Sequence, residues 1–201
     1  MGTLAAALAL GASQGDKKDW NFDADRTGRT APGFRGEIGD WKVVAAGDAP
    51  SKPNVLAQLA KNSGSAYNIS LASGTAYGDL DLTVKMKAVA GKEDQGGGLV
   101  WRAKDKGNYY VARFNPLEDN FRVYKVESGR RTQFGDASVK GDAAWHTMRV
   151  TMKGERIECF LDGKKHLDAR DSTFKEAGMI GLWTKADAQT HFDDLSVKPA
   201  P

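Results

Sequence analysis

The order of apolar and polar residues along the chain indicates short β-strands. Nine runs alternate in polarity or are rich in β-branched residues: 67–71, 79–89, 97–102, 109–114, 120–126, 145–152, 157–161, 179–183 and 191–197. Clusters of Gly, Asn, Asp and Lys separate these runs at the spacing typical of a β-sandwich. Helical signals are limited to residues 55–61 and 172–177, which we expect to form short turns at most. The pattern therefore predicts an all-β protein.

Glycines in the connections predict hairpins. Gly107, Gly129, Gly154 and Gly163 each lie in a short polar segment between two apolar runs. Glycine adopts the positive φ of tight hairpin turns without steric cost. Consecutive runs are thus expected to pair as antiparallel strands, and two stacked antiparallel layers would bury their apolar faces. No linker or repeat interrupts the pattern, which predicts a single domain over residues 19–198.

Composition and charge narrow the classes of partner. The 201 residues include 29 basic and 26 acidic side chains, and both signs are spread along the chain. Because no concentrated positive field would attract a polyphosphate, a nucleic-acid partner is not expected. The lone cysteine, Cys159, lies in an alternating apolar run, where we expect it to pack as a small buried hydrophobe.

The first residues of the chain are similar to part of an export signal. Residues 4–12 are apolar and end in small side chains, and the charged segment 14–18 follows abruptly. This is typical of the apolar region of a secretory signal, here without a basic segment before it. We expect residues 1–15 to be a signal-peptide remnant or a disordered extension, and the protein to be periplasmic or secreted. The apolar run is too short to span a bilayer, and no membrane span is expected elsewhere.

Several motifs together resemble a known family. The segments 145–154 and 157–163 are similar to a strand pair and its Asp-Gly turn in laminin G-like and concanavalin A-like sandwiches. More specific blocks are Asp94-Gln-Gly-Gly-Gly-Leu-Val-Trp-Arg102, the segment 108–120, Gly181-Leu-Trp-Thr-Lys-Ala-Asp187 and Phe192-Asp-Asp-Leu195. With them the chain resembles the bacterial 3-keto-disaccharide hydrolase domain family, also described as similar to family 16 glycoside hydrolases, from about residue 20 to residue 197. The resemblance implies a concanavalin A-like jelly-roll sandwich of two antiparallel sheets, export, and association with glycans or oxidised glycosides.

Two positions depart from the family pattern. Better understood members carry Asn-Ser-Gly in one strand and Glu-x-Gln in the next, where this chain has Gly96-Gly-Gly98 and Val111-Ala-Arg113. The Glu-x-Asp-x-x-Glu strand of family 16 glucanases is also absent, so a glucanase with paired carboxylates is not expected. Three functions stay open: carbohydrate recognition, hydrolysis or elimination of 3-keto-glycosides, and a structural or adhesive role at the cell surface.

If the strands predicted at residues 97–102, 109–114 and 120–126 are neighbours, alternation places a polar set on one face: Arg102, Arg113, Asn115, Arg122 and Tyr124. Trp183 is the aromatic candidate for stacking on a sugar. Guanidinium and amide groups offer paired donors to vicinal hydroxyls, and aromatic rings stack on the apolar face of a pyranose. The leading hypothesis is a concave sheet face that binds carbohydrate. The alternative is an ordinary solvated face with surface ion pairs.

Candidate catalytic groups lie in the segment 115–120, between two strands. Glu118 or Asp119 is a candidate general base for removing the proton at C2 of a 3-keto-glycoside. Arg113 or Arg122 would then stabilise the enolate oxygen. An ordinary polar turn is the alternative interpretation.

A structural calcium ion is a further candidate. Asp23 and Asp25 supply hard oxygen ligands next to a glycine turn, and Asp193 would lie nearby if the terminal strands pair. The sequence shows no further ligands of a calcium loop, and the three histidines do not have zinc spacing.

Overall fold

Residues 15–200 are described by a computed structural model of the chain. They form fifteen β-strands: β1 (Lys18–Trp20), β2 (Phe34–Ile38), β3 (Trp41–Ala45), β4 (Asn54–Gln58), β5 (Tyr67–Ala72), β6 (Leu80–Ala90), β7 (Gly97–Asp105), β8 (Asn108–Asn115), β9 (Asn120–Glu127), β10 (Arg130–Ser138), β11 (His146–Lys153), β12 (Arg156–Leu161), β13 (Lys164–Arg170), β14 (Met179–Lys185) and β15 (Gln189–Pro199). No helix able to cross a membrane occurs within this part of the chain. The predicted export segment lies, apart from Gly15, outside the described residues.

The strands form two stacked sheets. Sheet A has the order β13-β12-β11-β6-β15-β4-β3, and β1 also pairs with β15. Sheet B has the order β10-β9-β8-β7-β14-β5-β2. All of these strand pairs are antiparallel. The jelly-roll sandwich of two antiparallel sheets predicted from the sequence is confirmed.

One of the two predicted turns is instead largely a strand. β4 replaces most of the turn expected at residues 55–61, and all five of its residues are buried. A strand buried on both faces shows no alternation of polar and apolar residues, so its sequence pattern does not separate it from a short helix. The edge strands β10 and β13 were missed for the opposite reason, because their residues are mostly exposed and polar.

The main core lies between the two sheets. On β6, Leu82, Val84 and Met86 are buried while the residues between them are partly exposed. They belong to one apolar cluster with Trp101 of sheet B. Removing this surface from water contributes roughly 25 cal/mol per Å² to folding. Cys159 lies in the same core as predicted, and burial raises the pKa of its thiol.

Sheet B is strongly curved. Arg131 belongs to the edge strand β10 and Tyr67 to β5, which is five places away in the strand order. In a flat sheet with strands about 4.8 Å apart, these two strands would be separated by about 24 Å. The guanidinium carbon of Arg131 nevertheless lies 5.2 Å from the centre of the Tyr67 ring. The outer face of sheet B is therefore concave.

Glycine at position 98 allows a close approach in the middle of sheet B. A Cβ atom on Gly98 would overlap the carbonyl oxygen of Ala112 on β8. Gly98 also pairs with Trp183 on one side and with Arg113 on the other. Because it carries no side chain, it leaves room on that face for both of these large groups.

The substitution Gly98→Ala tests this close approach. We expect a loss of at least about 3 kcal/mol in the free energy of unfolding, because the β8 backbone has to move to admit the methyl group. Gly47 is the matched control, since no atom lies within 4 Å of a Cβ built there. G47A should stay within about 0.5 kcal/mol of the parent protein. Urea unfolding followed by tryptophan fluorescence measures both, and equal stability of the two variants would contradict the packing.

Candidate functional site

Most of the side chains predicted to share a face do share it. β7, β8 and β9 are neighbours in sheet B. The pairing of β8 with β9 sets Arg113 opposite Arg122 and Asn115 opposite Asn120. Tyr124 is two residues beyond Arg122 on β9 and has the same orientation. Because directly paired residues of antiparallel strands point to the same side, these groups all lie on the concave face.

The middle of the concave face is apolar. Its buried cluster consists of Ile69, Leu71, Val100, Ala103, Tyr109, Val111, Tyr124, Val126 and Trp183. The indole nitrogen of Trp183 donates to the hydroxyl of Tyr109 at 3.0 Å. Its ring lies 5.5 Å from that of Tyr67. Trp183 is thus on the predicted face but is covered by its neighbours, with 0% of its surface exposed.

Arg102 does not lie on this face, which corrects its predicted position. Its φ is +46°, and the pairing of β7 with β8 is irregular beyond Trp101, so alternation fails there. The guanidinium is buried and contacts four groups in three connections: the carbonyl oxygens of Gly78, Gly154 and Phe174 at 2.7–2.9 Å and the carboxylate of Asp79 at 3.2 Å. Arg102 therefore ties these connections together.

A polar cluster occupies one end of the concave face, around Arg113. Nη2 of Arg113 donates to Oε2 of Glu118 at 2.7 Å and to Oδ1 of Asn120 at 3.1 Å. Nη1 donates to Oδ2 of Asp94 at 3.3 Å. Arg113 is only 2% exposed, and an unpaired charge at that depth would cost several kcal/mol. We call Asp94, Arg113, Glu118, Asn120 and Arg122 the polar rim.

Asp94 is the acid of the polar rim that the sequence did not identify. It is fully buried in the β6–β7 connection and accepts hydrogen bonds from Nδ2 of Asn115 at 2.9 Å and from Nζ of Lys185 at 3.2 Å. Burial raises the pKa of this carboxyl group, although the charges of Arg113 and Lys185 act in the opposite direction. Asp94 opens one of the family-like blocks, but alternation cannot place a residue that lies outside a strand.

Glu118 is the accessible acid of the polar rim, with 40% of its side chain exposed. Its Oε2 accepts hydrogen bonds from Arg113, from Nδ2 of Asn120 at 2.9 Å and from Nη1 of Arg122 at 3.2 Å. Partial burial acts to raise the pKa of Glu118, but the bonds from Asn120 and Arg113 outweigh it and lower the pKa. All of these bonds converge on one oxygen, and Oε1 accepts none within residues 15–200.

Asp119 has a different role. Its φ is +51°, and its Oδ1 accepts a hydrogen bond from the backbone N–H of Gly141 at 2.8 Å. Its carbonyl oxygen accepts another from Val139 at 3.0 Å. Asp119 thus fastens the connection after β10 to the β8–β9 turn and does not join the polar rim.

The three acidic residues considered for calcium do not form a ligand cluster. The terminal strands β1 and β15 do pair, as expected. The Asp193 carboxylate accepts hydrogen bonds from the N–H and the hydroxyl of Ser51 at 2.8 and 2.9 Å. Nδ2 of Asn54 donates to the carbonyl oxygens of both Asp23 and Asp25 at 3.1 Å. Neutral donors therefore occupy the Asp193 carboxylate and the two backbone carbonyls, and residues 15–200 contain no group of three His, Cys, Asp or Glu side chains arranged to hold a metal.

Comparison with known families agrees with the motifs. Residues 20–198 match the family described as the 3-keto-alpha-glucoside-1,2-lyase-like domain. The chain belongs to this family. The resemblance inferred from the sequence blocks is thereby confirmed over nearly the same range. In this member of the lyase-like family, Arg113 stands at one of the two positions that depart from the family pattern, and it forms an ion pair with Asp94 at the end of the concave face.

Individual proteins are similar to the chain in sequence or in fold. A levanase of Bacillus subtilis (strain 168) is 29% identical over 126 residues, which cover 61% of this chain and 18% of the levanase, so the chain corresponds to a small part of that relative. The carbohydrate binding module CBM66 from Bacillus subtilis has a TM-score of 0.70 at 21% identity, over 83% of this chain and 95% of the module. A β-glucanase of Bacillus licheniformis has a TM-score of 0.57 at 13% identity, over 92% and 99% of the two chains. At these identities the two structural matches show a shared fold.

Removing the buried charge of Arg113 should destabilise the protein. We expect Arg113→Met to lower the free energy of unfolding by about 3 kcal/mol or more, because Asp94 would remain buried with one cationic partner fewer. Arg122→Met is the control on the paired residue: its side chain is 29% exposed, and the expected loss is at most about 1 kcal/mol. Urea unfolding of both variants gives the comparison. A mild effect in both would mean that buried charge does not hold the rim together.

Proposed function

We propose that this domain binds carbohydrate at the polar rim of its concave face. The observation that carries the proposal is the state of Glu118, an accessible, ionised carboxylate held between Arg113 and Arg122 with one oxygen open. Sugar hydroxyls both donate and accept hydrogen bonds. A carboxylate beside a guanidinium offers an acceptor and a donor at neighbouring positions, which suits a pair of vicinal hydroxyls.

The comparisons support the same class of ligand. The Bacillus subtilis module that shares the fold is named as a carbohydrate-binding module, and the curated relative is named as a levanase. The family description refers to a glucoside. These names do not identify the glycan of this chain, and the proposal therefore extends to carbohydrate as a class.

The acidic groups at this end of the concave face favour binding over catalysis. A lowered pKa makes Glu118 a weak general base. Asp94 is fully buried, and Asp119 is bonded to Gly141. Cleavage of a 3-keto-glycoside is the second candidate, supported by the family description. In that reaction Glu118 would take the proton at C2, and Arg113 or Arg122 would stabilise the enolate oxygen.

We further propose that the protein acts outside the cytoplasm, either in the periplasm or as a secreted protein. The apolar segment 4–12 and the charged residues after it support this location. Fusing residues 1–20 to a reporter enzyme that is active only after export tests it. Reporter activity is the expected outcome, and a fusion that remains inactive in the cytoplasm would contradict the proposal.

Glu118→Gln tests the binding proposal. We expect at least about tenfold weaker binding of the sugar, because a charge-assisted acceptor is lost. Glu127→Gln is the control, since Glu127 is an exposed acid at the other end of β9. Calorimetric titration with common disaccharides, fructo-oligosaccharides and 3-keto-disaccharides measures affinity. Because the pKa of Glu118 is lowered, the parent's affinity should persist below the ordinary glutamate value of 4.5 and fall only at more acidic pH.

Product analysis of the same mixtures separates the alternatives. Binding without product supports recognition, and product from the keto-sugars alone would establish the lyase or hydrolase. If the parent protein neither binds nor cleaves any of these sugars, the proposal is wrong and a structural or adhesive role is favoured. Equal affinities of E118Q and E127Q would show that the sugar does not bind at the polar rim.

A further inference from the structure

Arg131 differs from the other cations of the concave face. Arg113 and Lys185 both pair with Asp94, and Arg122 pairs with Asp136. Within residues 15–200, Arg131 forms no ion pair. Its Nη1 is buried and has no hydrogen-bond partner within the same residues. Nε of Arg113 is likewise buried without a partner, but the charge of Arg113 is balanced by Asp94 and Glu118, whereas the charge of Arg131 has no counter-charge among these residues.

Three aromatic rings surround the Arg131 guanidinium. Its central carbon lies 4.3 Å from the centre of the Tyr124 ring, 5.2 Å from that of Tyr67 and 5.7 Å from that of Trp183. All three distances are within the range of about 6 Å at which a cation is attracted to an aromatic face. The rings hold the guanidinium over the middle of the concave face. They offset part of its desolvation but supply neither a negative charge nor a hydrogen-bond acceptor for the N–H groups.

We call the rings of Tyr67, Tyr124 and Trp183 the aromatic cage of Arg131. The cage adjoins the polar rim. Arg131 pairs with Val126 on β9, the strand that also carries Tyr124 and Arg122. Val126 is four positions beyond Arg122 on β9, which is about 14 Å along a strand. Both Arg131 and Tyr67 are partly exposed, so the cage is not sealed from solvent. A ligand held at the polar rim would reach Arg131 if it were longer than a single sugar.

We propose that Arg131 binds the carboxylate of an acidic sugar, so that the ligands of this domain are oligosaccharides containing uronic acid. The inference rests on the proposed function and specifies its ligand class. A planar guanidinium presents parallel N–H donors that match the two oxygens of a carboxylate. The carboxylate supplies the negative charge that Arg131 lacks, which a neutral sugar cannot do.

The test compares matched trisaccharides. Trigalacturonate and triglucuronate are titrated by calorimetry beside the neutral trimers of the same linkage, in which CH₂OH replaces each carboxylate. For the parent protein we expect at least one uronate to bind ten times or more tightly than its neutral counterpart, since charge-assisted hydrogen bonds exceed neutral ones by about this factor. Added NaCl should weaken the binding of the uronate and leave that of the neutral trimer almost unchanged.

Arg131→Gln should bring the ratio of the two affinities close to one. Arg130→Ala is the matched control, because Arg130 is the exposed preceding residue on the same strand, and the preference should persist in that variant. Arg131→Lys keeps the charge without the planar donors, and we expect a reduced preference. If R131Q does not fold, R131K and the salt dependence of the parent protein still give the answer.

The possible failures are distinguishable. Equal binding of acidic and neutral trimers by the parent protein would overturn the inference and leave the proposed function intact. A preference for uronate that survives in R131Q would also overturn it, because another cation would then bind the carboxylate. If the parent protein binds neither the acidic nor the neutral trimers, the inference is overturned, and the proposed function is then decided by the titrations with disaccharides, fructo-oligosaccharides and 3-keto-disaccharides.

Discussion

The buried charge of Arg113 is the constraint on which the candidate site depends. A guanidinium with 2% exposure has to be surrounded by acceptors, and no single strand supplies them. Asp94 comes from the connection before β7, and Glu118 and Asn120 come from the turn between β8 and β9. The charge thereby draws two connections onto the same end of sheet B. The exposed carboxylate of Glu118 is positioned as a consequence of this pairing.

Curvature of sheet B provides the second condition for a site. No further sheet covers the concave outer face of sheet B. The bending turns distant strands of this sheet toward each other, and the face therefore buries its own aromatic residues. Gly98 makes room for the large side chains of Trp183 and Arg113 on either side. The same bending brings Arg131 from the edge strand over three rings. A flat sheet of the same sequence would present separate rows of exposed aromatic and basic groups.

The departures from the family pattern have a structural counterpart. At the second family motif this chain has Val111 and Arg113, where better understood members have Glu and Gln. Val111 belongs to the apolar cluster in the middle of the concave face. The acidic groups near Arg113 lie in the β6–β7 connection and the β8–β9 turn, not on β8. The resulting rim pairs each of its cations with a carboxylate. This arrangement is suited to holding hydroxyl groups and supplies only a weak base for proton abstraction.

The sequence by itself determined the strands with clear alternation, their antiparallel hairpins, the family, and the common face of Arg113, Asn115, Arg122 and Tyr124. Alternation and turn glycines are local properties, and they remain valid wherever a strand is regular. They failed at Arg102, where an irregular residue breaks the alternation, and at β4, where burial on both faces removes it. Only the tertiary structure brought Asp94 to Arg113 and Arg131 to its aromatic cage. Those contacts depend on where a connection folds back and on how far a whole sheet bends, and neither property is encoded in the spacing of neighbouring residues.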